Sequence, residues 1–128
     1  MSFDPFPLES SEPDLKAAVV KFVGGTAAVT KVFGKAMSVN YIGTGIVDLV
    51  WKENPGAFIG VLGRGFEATT QSALKGYSVV AGAWNSSTWT LRLNITNAAD
   101  TLADLAALQW ITLVIGFKFG AISGNAAT

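Results

Sequence analysis

Nine consecutive residues, Thr88 to Thr96, alternate strictly: Trp89, Leu91, Leu93 and Ile95 are apolar, and Thr88, Thr90, Arg92, Asn94 and Thr96 between them are polar. In extended chain, successive side chains point to opposite faces. A period of two therefore describes a strand with one buried face and conflicts with the 3.6-residue period of a helix. A lone strand leaves its backbone N–H and C=O groups unpaired, so the segment commits its neighbours to a sheet. GYSVVAGAW (76–84) precedes it across Asn85-Ser86-Ser87, and the pair predicts a hairpin.

The same rhythm of short apolar runs and turn signals holds from Lys16 onward. AAVVKFVGG (17–25) closes at Gly24-Gly25, and AAVTKVFGK (27–35) follows. MSVNYIGTGIVDLVW (37–51) folds at Gly43-Thr44-Gly45 into a second hairpin, with Val39 and Tyr41 on one arm and Val47 and Leu49 on the other. Asn54-Pro55-Gly56 is a turn, and FIGVLGRGF (58–66) is a strand whose glycines at 60, 63 and 65 predict bulges or close backbone approach. NAADTLADLAAL (97–108) breaks the pattern. It predicts one or two helical turns, with Asp100 as N-cap and Leu102, Leu105 and Leu108 on one face. QWITLVIGFK (109–118) is a long final strand.

Alternating β and α elements are missing. The fold class is therefore all-β, a β-sandwich or jelly-roll of about seven or eight antiparallel strands over 15–120. Residues 121–128 form a small polar C-terminal tail. Residues 1–14, MSFDPFPLESSEPD, hold three of the four prolines and read as an extended N-terminal arm with apolar anchors at Phe3, Phe6 and Leu8. The arm carries Asp4, Glu9, Glu12 and Asp14 and no basic residue, which leaves nine basic against five acidic residues in the rest. We expect such an arm to dock on a neighbouring subunit.

Charged residues make up 14 % of the 128 and hydrophobic ones 50 %. A small domain has much surface to cover, so this balance predicts apolar surface buried against other chains. With formal net charge zero and no basic stripe, no nucleic-acid partner is expected. No run is long enough to span a bilayer, the most apolar being the strand-sized Trp110–Phe117, and no basic-then-apolar leader opens the sequence.

Cysteine and histidine are both absent, which removes disulfides, thiolate chemistry and every Ser-His or Cys-His arrangement. The carboxylates Asp48, Glu53, Glu67, Asp100 and Asp104 fall in no paired-acid or calcium-loop pattern and read as solvated surface charges or a cap. Gly60 to Gly65 has the spacing of a phosphate loop, but Phe66-Glu67 follows where Lys and Ser or Thr are required. The sequons at Asn85 and Asn94 read as a turn and a polar strand face. No catalytic residue, cofactor or metal is expected, and the chain reads as a non-enzyme. Trp89 and Trp110 fall in apolar phase and are expected in the core. Trp51 and Trp84 sit at strand ends and are the expected interface aromatics, or with Tyr77 a sugar-stacking platform.

The hairpin SVNYIGTGIVDLVW (38–51), with its V-x-x-x-G-T-G-x-x-x-L frame, is similar to one recurring in small virion proteins of tailed bacteriophages. The stretch from Thr88 to Lys118 adds an alternating Thr-rich strand, an Asn-Ala-Ala-Asp loop and a hydrophobic last strand. Together these resemble head decoration, or cement, proteins of tailed phages, cyanophage-like ones included. The resemblance implies a homotrimer at three-fold positions on the outer surface of an icosahedral head, made in the bacterial cytoplasm. It would clamp the major capsid protein, with the arm reaching onto that partner. The alternative from the residues alone is a carbohydrate- or receptor-binding module of a phage tail or fibre.

Overall fold

The computed structural model describes residues 15–69 and 76–118. The arm, with Phe3, Phe6 and Leu8, and the 121–128 tail lie outside the described residues. Eight strands follow one another: β1 (Leu15–Gly25), β2 (Ala28–Gly34), β3 (Met37–Gly43), β4 (Ile46–Trp51), β5 (Ala57–Ala68), β6 (Ser78–Asn85), β7 (Thr90–Thr96) and β8 (Gln109–Lys118). They form two antiparallel sheets, β2-β1-β8-β5 and β3-β4-β7-β6, packed as a β-sandwich. The expected all-β class, and each expected strand, is what the chain forms.

Period two sets the core. From the first sheet (sheet A), Val20, Phe22, Ile111, Leu113, Ile115 and Phe117 point inward; from the second (sheet B), Val47, Leu49, Leu91, Leu93 and Ile95 meet them. The ladders between central strands run without interruption: β1 with β8 from Leu15↔Lys118 to Val23↔Trp110, and β4 with β7 from Ile46↔Asn94 to Val50↔Thr90. Every register shift falls instead on a ladder to an edge strand. The extra residues are Val32 on β2, Ile42 on β3, Ile59 and Leu62 on β5, and the pair Gly82-Ala83 on β6. Bulges twist an edge and interrupt its open hydrogen-bonding groups, which blunts edge-to-edge aggregation. The bulges in β5 fall immediately before Gly60 and Gly63, as its glycines predict, while Gly65 lies in regular ladder.

The segment 97–108 forms no helix. Asn97, not Asp100, organises it: Asn97 Oδ1 accepts from the Ala99 N–H (2.9 Å), the Thr101 N–H (3.3 Å) and the Thr101 hydroxyl (3.0 Å). Asp100 itself sits at φ +61°, a left-handed conformation that no helical N-cap adopts. Side-chain competition for the backbone thus favours a turn over a helix start. The three leucines do not share a face, since Leu105 is buried while Leu102 and Leu108 are exposed. Leu105 plugs the end of the sandwich against Gly24, where any side chain would collide with it.

Candidate functional site

Two of the four tryptophans, Trp51 and Trp110, lie elsewhere than their sequence positions suggest. Trp51, expected partly exposed, is 6 % accessible, and Trp84 is half-buried against the core. Trp51 stands edge-on to Phe117 (centroids 5.1 Å, 79°), and Trp84 stacks on Phe58 (5.8 Å, 23°) while touching Phe117 at 5.4 Å. This cluster ties β4 and β6 of sheet B to β5 and β8 of sheet A, each ring pair adding roughly 0.5–1.5 kcal/mol beyond its area. Trp51 turns inward because it continues the phase of Val47 and Leu49. Trp84 does so because the Gly82-Ala83 bulge shifts the phase of β6. Trp110, expected in the core, is out of phase with Ile111 and its neighbours and sits half-buried on the outer face of sheet A. Trp89 packs against the core as expected, but from the turn before β7, at φ +54°.

Tyr77, the third member of the proposed sugar platform, is half-buried and spends its hydroxyl on the Asp104 carbonyl (2.9 Å). Asp104 is not a solvated surface charge. Its carboxylate accepts from the Tyr41 hydroxyl (3.1 and 3.0 Å) and from the Gly45 N–H (2.9 Å), which ties the β3–β4 hairpin to the 97–108 segment. Gly45 makes this approach possible: it sits at φ +70°, and a Cβ there would come within 2.6 Å of the Ile95 carbonyl. Burial raises the Tyr41 hydroxyl above the ordinary 10.0, and its hydrogen bond to Asp104 and that group's charge add to the rise. Sequence reading missed this node because its partners are about 60 positions apart in the chain.

Asp48 is likewise not solvated. Arg92 grips it with two parallel bonds, Nε to Oδ1 at 2.9 Å and Nη2 to Oδ2 at 3.0 Å, and this contact raises the guanidinium pKa further. The pair lies on the outer face of sheet B beside Asn40, Asn94, Thr90 and Thr96, all turned away from the core by the ladder register. Among the described residues no group of three or more metal-ligating side chains converges.

The outer face of sheet A is different. In outward phase on its central strands are Leu15, Ala17, Val19, Lys21 and Val23 from β1, and Trp110, Thr112, Val114, Gly116 and, at the strand end, Lys118 from β8. β2 adds Phe33, opposite Lys21, and Leu62 from the β5 bulge lies over Gly116. Val19 is 42 %, Phe33 46 % and Leu62 52 % accessible. Across this face Lys21 pairs with Glu67 at 2.6 Å. An antiparallel sheet normally presents its outer face to water with polar residues; this one presents mostly apolar groups.

No family model, no curated protein and no solved structure matches the chain.

Proposed function

We propose that the chain is a structural virion subunit: a head decoration, or cement, protein that binds the outer surface of an icosahedral phage capsid as a homotrimer and bridges major capsid protein subunits. The observation that carries this reading is the apolar outer face of sheet A. Four strands at about 4.8 Å spacing and about nine residues at 3.4 Å each make a face of about 20 by 30 Å. That approaches the roughly 800 Å² per partner of a stable protein interface. Burying such a face releases water from apolar surface, which is the main driving force of association. Three modest contacts per trimer then combine through high effective concentration. The resemblance of the 38–51 hairpin and the Thr88–Lys118 stretch to phage decoration proteins is what points to the major capsid protein as the partner.

The test is sedimentation of the purified protein with undecorated phage heads. Saturable co-sedimentation, three copies per three-fold position, supports the reading. Protein that stays in the supernatant at concentrations well above those in an infected cell overturns it. The sugar-binding alternative has less support, since Trp51 is buried, Trp84 is half-buried in the ring cluster and Tyr77 spends its hydroxyl on the Asp104 carbonyl.

A further inference from the structure

The bulges that blunt the edge strands leave one stretch untouched. On β5 the register with β8 runs without interruption from Gly63↔Val114 to Ala68↔Gln109, further than the regular stretch on β2, β3 or β6. β5 ends its sheet, so alternate backbone N–H and C=O groups of this stretch face outward from the edge with no strand beside them. Gly63 and Gly65 have no side chain to shield these groups, and a Cβ at Gly65 would meet nothing within 4 Å. Bare glycines on an edge let another backbone come close.

Between those glycines stands Arg64. It lies opposite Leu113, in the inward phase of β5, and the next inward residue, Phe66, packs against the core. Arg64 is nevertheless exposed, so its guanidinium emerges at the open side of the sandwich, where β5 faces β6. It makes no hydrogen bond or ion pair among the described residues. Lys31 is also an inward-phase cation, on the opposite edge strand β2, but it is spent on the Gly34 and Met37 carbonyls at 3.0 and 2.7 Å.

We infer that Gly63–Ala68 accepts an extended segment of the shell protein as a fifth strand of sheet A, and that Arg64 pairs with a carboxylate of that segment. Backbone bonds along the edge supply affinity, and the guanidinium selects the partner. Residues directly opposite in a ladder share one face, so the carboxylate comes from an inward position of the added strand. Two positions along, an apolar residue meets Phe66. The segment therefore reads acid-x-apolar. A second copy of β5 does not meet this demand, because its one acid, Glu67, lies in outward phase and pairs with Lys21. A strand with no acid would leave the guanidinium unpaired against apolar groups, so Arg64 also guards the edge against wrong strands. The added strand widens the apolar outer face of sheet A by one row. This assignment rests on the proposed function and names what part of the shell is held.

Amide hydrogen exchange of the full-length protein, free and bound to undecorated heads, tests it. The amides of 63–68 should slow about tenfold on binding, while those of β2, the other edge of the same sheet, change little. Docking through the face alone treats both edges alike. Equal slowing at the two edges, or none at 63–68, in head-bound protein therefore overturns the inference and leaves the proposed function standing. Protein that does not bind heads removes the proposed function and this inference with it. Arg64→Glu should weaken head binding about tenfold, and Lys52→Glu, the same change of charge at an exposed site after β4, less than about twofold. Urea midpoints confirm that both variants are folded. Equal losses for the two also overturn the inference.

Discussion

β7 and β8 hold equivalent central places in the two sheets, and both send alternate residues into the same core. Their outward residues are chemically opposite. β7 turns Thr90, Arg92, Asn94 and Thr96 away from the core, with Arg92 gripping Asp48 of β4. β8 turns out Trp110, Thr112, Val114 and Gly116, next to Val19 and Val23 of β1. The inner faces answer to the fold and are alike. The outer faces answer to what lies beyond the molecule, so their difference is the most direct sign of function that this sandwich carries.

The first way to break the comparison is to test the inner equivalence. Leu91→Ala in sheet B and Leu113→Ala in sheet A both empty fully buried sites, and each should cost about 2–5 kcal/mol in urea unfolding. A cost below about 0.5 kcal/mol at either would mean that its face is not core.

A smaller effect concerns how sheet B is tied to the 97–108 segment. In the folded protein the Tyr41 hydroxyl holds its proton above 10.0, the value at which an unfolded tyrosine gives it up. The stabilisation this provides is complete below pH 10 and drains as pH rises through the higher folded value, because the unfolded state then binds fewer protons. The urea midpoint should fall over that window in the parent chain, and the Tyr41→Phe variant should show a shallower fall. Parallel pH profiles would remove Tyr41 from the account.

The smallest effect on stability is the sharpest test of the outer faces. Val114→Lys and Asn94→Lys are outward substitutions on central strands of the two sheets, and both should leave unfolding free energy within about 0.5 kcal/mol. Val114→Lys should abolish co-sedimentation with heads, and Asn94→Lys should leave it intact. Equal behaviour of the two would erase the functional contrast between the sheets.

Much of this was legible in the chain. The alternation from Thr88 to Thr96 places Leu91, Leu93 and Ile95 in the core, where all three are fully buried. The glycines of β5 foretell its bulges, and the Gly43-Thr44-Gly45 hairpin forms as expected. The errors share a cause. Trp51 reads as a strand-end aromatic, yet Val47, Leu49 and Trp51 keep one phase. Trp110 reads as apolar-phase within an almost unbroken apolar run, but Ile111, Leu113, Ile115 and Phe117 form the inward set and leave it one residue out of step. At both positions the phase of the neighbouring buried residues decides the side: Trp51 continues Val47 and Leu49, and Trp110 falls between the inward residues of β8. The helix expected over 97–108 failed for another reason: its leucines do suit a helical face, but Asn97 binds three donors of the following residues and starts a turn.

By itself, the sequence determined the all-β class, the approximate number and places of the strands, the inward residues of β7 and the lack of cysteine and histidine. These follow from local periodicity, turn formers and composition, which act over a few residues. Only the tertiary structure decided the rest. Val32, Ile42, Ile59 and Leu62 are exposed because bulges fall on the edge strands, and a bulge is a relation between two strands. Asp48 and Asp104 became structural because Arg92, Tyr41 and Gly45 come from distant parts of the chain. Val19, Phe33, Leu62 and Val114 became one surface because β1, β2, β5 and β8 are brought side by side in an order that no local pattern encodes.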